Sequence, residues 1–225
     1  EVKAAGFTHG VLLGMGGSSL CPEVFRLSFG KIAGFPDFQI LDSTDPARVA
    51  TIETGIDMAR TLFIVASKSG TTIEVNALAS AARAAVESAS VAQWGQRFVA
   101  ITDEGTALHR QSVAEGFADV FVNPSDVGGR YSALTYFGLA PGALSNLTLP
   151  RLLEHVRRLA RESHTPDASV NPGVALGAFL GQAARTGRTL LTLVLPPSLE
   201  AFGLWVEQLV AESLGKRSEE RRVGK

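Results

Sequence analysis

The chain has 225 residues, 45% hydrophobic and 19% charged, with 21 basic against 22 acidic side chains and a formal charge of −1. That suffices for one large core or one and a half average domains, and it excludes a disordered chain. Cys21 is the one cysteine, so no disulfide scaffold forms within the chain. A near-neutral balance gives no electrostatic footprint for nucleic acid, and no apolar run reaches the roughly 18 residues of a membrane span. The N-terminus has no basic stretch followed by an apolar one. The reading is a reduced, cytoplasmic protein with neither a nucleic acid nor a membrane as partner. Both ends suggest a fragment: Glu1 is no initiator methionine, and residues 217–225 carry six charges without apolar periodicity. This last string resembles a translated library adapter and is set aside from the fold as a non-native tail.

Apolar runs bounded by turn residues alternate with helical patterns, as in a parallel α/β sheet. Residues 11–13 form the first expected strand and run into Gly14, Gly16 and Gly17. Residues 38–41 form the second, closed by Asp42-Ser43-Thr44-Asp45-Pro46. The third, 61–66, precedes a polar loop at 67–72; the fourth and fifth are 98–101 and 119–122. Between them lie helical stretches, the clearest being the alanine-rich segment 74–88. From residue 150 the pattern is mostly helical, with helices at 151–162 and 172–184, a strand at 190–195, and a last helix at 204–214 after Pro196 and Pro197. The expected fold is a doubly wound α/β domain over residues 1–149, followed by an incomplete second subdomain over 150–216. Ligands in such a sheet bind beyond the carboxyl ends of the strands.

Four segments carry candidate chemistry. Gly14-Met15-Gly16-Gly17-Ser18-Ser19 follows a strand, and its glycines let backbone N–H groups approach an anion. It nearly fits a dinucleotide fingerprint, with Asp42 as a ribose-binding acid, but Ser19 stands where Gly or Ala belongs. A plain structural turn is the alternative. Ser67-Lys68-Ser69-Gly70-Thr71-Thr72 lies between a buried strand and a helix. Its hydroxyls, its lysine and the helix N-terminus suit a terminal phosphate monoester without a metal. The alternative is a hydroxyl-rich helix cap at Thr71 or Thr72.

Asp126-Val127-Gly128-Gly129-Arg130-Tyr131 puts an arginine after two glycines, where its guanidinium could face a developing oxyanion or, more plainly, solvent. In the last helix Gln208 and Glu212 lie four apart and share a face, whereas Glu212 with Lys216 could form an exposed ion pair. His9, His109, His155 and His164 have no metal-ligand spacing.

Together these motifs resemble the phosphoglucose isomerase family, whose sugar-isomerase (SIS) domain carries the same elements in the same order. The matching stretches are residues 14–20, 67–72, 128–132 and 212–216, supported by 42–46, by Asn171-Pro172 and by Leu176-Gly177. The wording is most similar to the isomerase part of bifunctional transaldolase–phosphoglucose isomerases. The resemblance implies interconversion of glucose 6-phosphate and fructose 6-phosphate through a cis-enediol, without a cofactor, in a homodimeric parent. It implies that Ser67, Lys68, Ser69, Thr71 and Thr72 hold the 6-phosphate and that Gly17 and Ser18 line the sugar. It gives Glu212 the role of proton-transferring base with Gln208 beside it, and Arg130 that of steadying the enediolate. Family members continue past the 212–216 motif to supply a ring-opening histidine and a late lysine, and none of the four histidines here matches that role. Two other readings compete: a non-catalytic sugar-phosphate sensor, which would leave Glu212 and Arg130 without a purpose, and a nucleotide-dependent oxidoreductase, which Ser19 disfavours.

Overall fold

The computed structural model describes residues 2, 4–145 and 147–214, with side chains through residue 211. The expected tail at 217–225 and Lys216 lie outside the described residues. Strands β1 (His9–Gly14), β2 (Asp37–Leu41), β3 (Thr61–Ala66), β4 (Phe98–Asp103) and β5 (Asp119–Asn123) pair in parallel in the order β2-β1-β3-β4-β5. All five form at or just beyond their expected bounds.

Burial on two faces explains why the central strands β1, β3 and β4 were so legible. Every residue of β3 is buried, and its side chains divide alternately between two cores. Phe63 and Val65 join Val11, Leu13 and Phe98 against α2 (Pro46–Gly55), α3 (Ile73–Ser88) and α4 (Ala107–Ala114). Ile64 and Ala66 join Leu12, Ile40 and Ile101 against Phe137 of α5 (Tyr136–Leu144), on which α1 (Leu20–Phe29) packs. Helices on both faces make the sheet doubly wound. Asp45 starts α2 by accepting hydrogen bonds from the Ala47 and Arg48 amides at 2.8 and 3.1 Å, with Pro46 in the first turn.

Residues 148–195 form a compact unit of their own, while 196–214 group with the first 147 residues. The segment expected to be one subdomain over 150–216 therefore divides near residue 195. Within the smaller unit, α6 (Leu149–Glu162) and α7 (Pro172–Arg185) are joined through the buried Asn171. Its amide nitrogen donates to the Ser163 and Thr165 carbonyls, and its oxygen accepts from the Gly173 and Val174 amides. The strand expected at 190–195 does not form: Leu190 is 95% and Val194 93% exposed. An apolar run becomes a strand only when a neighbour completes its ladder, and none of the described residues does so.

The C-terminal segment also departs from expectation. In place of one α-helix over 204–214, α8 (Phe202–Glu207) gives way to a π-helical turn, Gln208–Leu214. Such turns are rare and tend to occur at functional positions. α8 packs against α1.

One backbone approach sets the geometry above the sheet. A Cβ on Gly17 would lie 2.6 Å from the Gly129 carbonyl carbon and 2.9 Å from the Arg130 nitrogen. The loop after β1 thus rests directly on the 3-10 turn Gly129–Leu134, and only a residue without a side chain fits. Gly70, with φ +65°, does the same for the loop after β3: a Cβ there would be strained and 2.9 Å from the Thr106 Cβ.

Gly17→Ala should move the segment bearing Arg130 and destabilise the protein by about 1–3 kcal/mol, read as a lowered urea midpoint; an unchanged midpoint would show that the contact is slack. Cys21, buried in α1, has its thiol pushed up to about 12 by burial. Native Cys21 should therefore resist thiol reagents at pH 8 and react once the protein is unfolded. The unfolded thiol ionises near 8.5, so the unfolded state sheds a proton that the native state keeps. The associated stability is fully present below that pH and is lost as pH rises towards 12. The urea midpoint of the native protein should accordingly fall relative to that of Cys21→Ala above about pH 9.

Candidate functional site

The chain turns from β1 to β2 on one side and returns to β3 on the other, so the sheet order reverses direction between β1 and β3. At their carboxyl ends lies an open cleft of about 570 Å³, a volume suited to a small polar metabolite. Met15, Gly16, Gly17 and Ser18 line it after β1; Lys68, Ser69 and Thr72 after β3; Asp103 at the end of β4; Gly129 and Arg130 beyond β5; and Gln208 at the start of the π-helical turn.

The loop after β3 is braced from within. Ser67 is 2% exposed, and its hydroxyl accepts from the Gly70 amide at 3.2 Å and shares a 3.0 Å hydrogen bond with the Thr72 hydroxyl. Thr72 occupies the N-cap of α3, yet its hydroxyl is engaged with Ser67 and no side chain among the described residues caps this helix. The first N–H groups of α3 are thereby left to an anion. The plain capping alternative is therefore not what the geometry shows. Ser69 lines the cleft, while its hydroxyl accepts from the amide and the hydroxyl of the exposed Thr71 at 3.2 and 3.0 Å. The β3–β4 ladder continues beyond the strands, with the Ser67 amide donating to the Ile101 carbonyl at 3.0 Å and the Asp103 amide to the Lys68 carbonyl at 3.3 Å.

Lys68 reaches across these strand ends. Its ammonium pairs with Asp103 Oδ2 and donates to the Ser125 carbonyl at 2.8 Å. The described side chains on the cleft thus comprise two cations, Lys68 and Arg130, against one carboxylate. The Gln208 amide nitrogen lies 3.5 Å from where a Cβ on Gly16 would sit. The hydroxyls and ammonium of the loop after β3 suit a phosphate, and the guanidinium, amide and backbone groups elsewhere on the cleft suit the oxygens of a sugar.

Of the residues singled out in the sequence, the cleft brings together Gly17, Ser18, Lys68, Ser69, Thr72, Arg130 and Gln208. Ser67 lies buried beneath the loop and Thr71 stands exposed beside it; neither lines the cleft. Glu212 falls within the π-helical turn, and its side chain lies outside the described residues. Asp103 was missed, although it stands two residues past an expected strand, at the sheet end where ligands of such folds gather. Among the described residues no cluster of three or more His, Cys, Asp or Glu side chains could hold a metal, and no helix is long and apolar enough to cross a membrane.

Comparison with known proteins gives this cleft a family. The family model described as phosphoglucose isomerase matches residues 3–223. A glucose-6-phosphate isomerase of Trichormus variabilis is 33% identical over 96% of this chain and 42% of its own length. One from Parasynechococcus marenigrum is 33% identical over 96% of this chain and 40% of its own. The chain thus spans about two fifths of the length of these relatives, which are named for the isomerase alone. Among solved structures, a hypothetical protein of Thermus thermophilus superposes with a TM-score of 0.83 at 27% identity, covering 100% of this chain and 54% of its own. A glucose-6-phosphate isomerase of Chlamydia trachomatis superposes with a TM-score of 0.79 at 26% identity, covering 94% of this chain and 41% of its own. With the match running almost end to end, the chain belongs to the phosphoglucose isomerase family.

Proposed function

We propose that this cleft binds a hexose 6-phosphate and contributes to the interconversion of glucose 6-phosphate and fructose 6-phosphate. The observation that carries this reading is the braced loop at 67–72. It brings Lys68, Ser69 and Thr72, the N-cap residue of the uncapped α3, to the same cleft as Arg130 and Gln208.

In this reading the phosphate sits on the loop. Ser69, Thr72 and Lys68 donate to it directly, Ser67 and Thr71 hold the loop's shape, and the N–H groups of α3 add their dipole. The sugar extends past Gly17 and Ser18, which line the same cleft. Glu212 takes the proton from C2 of the open-chain aldose and returns it to C1, while a proton passes from O2 to O1. The cis-enediol between these steps carries charge on oxygen as it forms, and Arg130, always ionised, steadies it. Gln208 orients the sugar hydroxyls. No atom is gained or lost, and in this reading the protons are moved by side chains without a cofactor. We also assign residues 150–195 to the beginning of a second sugar-isomerase subdomain, and propose a homodimeric, cytoplasmic parent.

A coupled assay should detect glucose 6-phosphate from fructose 6-phosphate in a chain extended to the length of its relatives. No turnover there, with sugar phosphate still bound, would favour a sensor. In that extended protein Arg130→Ala should lower kcat by about 10²–10³-fold. Glu212→Gln should lower it by at least about 10²-fold while leaving phosphate-ester affinity in place. Retained turnover in Glu212→Gln would remove Glu212 as the base.

A further inference from the structure

We propose that Asp103 is a positioning residue for the anion: with the Ser125 carbonyl it fixes the Lys68 ammonium so that one N–H is aimed into the cleft before ligand arrives. The inference rests on the phosphate reading of the loop at 67–72. A lysine ammonium is a point charge on a flexible four-carbon stem, so its direction is set by its partners rather than by its own shape. Here two of its three donors are taken, one by Asp103 Oδ2 and one by the Ser125 carbonyl at 2.8 Å. The third is left to the cleft that Lys68 lines. The two partners sit on the end of β4 and just beyond β5, so the ammonium is referenced to the rigid sheet.

Two features of Asp103 make little sense without such a task. It places a carboxylate on the wall of a cleft built to take an anion, where its charge opposes binding. Its Oδ1 is buried and, among the described residues, has no hydrogen-bond partner, as is also true of Oδ1 in Asn123, its neighbour in register on β5. A buried acceptor without a donor is costly. A tie serving the fold alone could be made from a neutral pair with both groups satisfied. A carboxylate pair gives a stronger, more directional hold on the ammonium, and this offsets both costs once an anion must be met at a fixed point.

The test is calorimetric titration of fructose 6-phosphate, with inorganic phosphate as a second probe, into four forms of this chain: unmodified, Asp103→Ala, Lys68→Met and the double variant. The expected result is that Asp103→Ala weakens binding of both probes by about tenfold. In the Lys68→Met background the same change should weaken nothing, and should tighten binding slightly because a negative charge is gone. Asp103→Asn, which keeps the shape and one acceptor oxygen, should recover part of the loss, and it carries the test if Asp103→Ala does not fold. Equal or tighter binding by Asp103→Ala and Asp103→Asn would overturn the proposal, leaving Asp103 a mere counter-charge. So would an equal loss in both backgrounds, which would mean that Asp103 acts through the fold. No binding by the unmodified chain would strike down the phosphate reading itself, and this inference with it.

Discussion

The cleft depends on two stretches of backbone meeting without a side chain between them. Gly17, in the loop leaving β1, lies so close to Gly129 and Arg130 that any Cβ would collide with main-chain atoms. Main chain cannot give way as the far end of a side chain can, so the contact fixes where the 3-10 turn beyond β5 sits relative to the sheet. That in turn brings Arg130 over the ends of β1 and β3 rather than out over the edge of β5. Gly70 performs the corresponding service for the loop after β3, pressing it against Thr106 at the start of α4.

Below these contacts the sheet supplies rigidity. The central strands β1, β3 and β4 are buried almost throughout, so the loops that leave them start from fixed points, and the reversal of strand order between β1 and β3 opens a crevice there. The hydroxyls of the loop at 67–72 divide their labour. Ser67 and Thr72 bond to each other and so leave the α3 N-terminus uncapped. A hydroxyl that had capped the helix would have removed the feature that makes this corner attractive to an anion.

How much of this could be read from sequence follows from what each residue type must do. The central strands were legible because burial on both faces forces continuous apolar runs, which few other structures require. The edge strand β5, with Asn123 its one buried residue, was legible from its short Val120-Phe121-Val122 run alone. The site loops were legible because glycines and hydroxyls cluster directly after such runs, at the sheet end where ligands of such folds bind. The division of roles within the loop was not, because Ser67, Ser69, Thr71 and Thr72 offer chemically equivalent hydroxyls whose burial only the fold decides. Residues 190–195 misled for a related reason: pattern shows the capacity to pair, whereas pairing needs a partner. The π-helical turn at Gln208–Leu214 leaves no mark in apolar spacing, so the sequence offered only a plain α-helix there. Asp103 was hidden by its ordinariness, one of two adjacent acids in the turn after an expected strand, until the structure placed it against Lys68.

The central claim is that a hexose 6-phosphate occupies this cleft with its phosphate on the loop after β3. Amide chemical shifts of the isotopically labelled chain, followed while fructose 6-phosphate is added, address it residue by residue. The account predicts saturable shifts concentrated at Gly70, Thr71, Thr72 and the first turn of α3, with smaller ones at Gly17 and Ser18. Shifts confined to another surface, or none at concentrations that saturate the longer relatives, would contradict it.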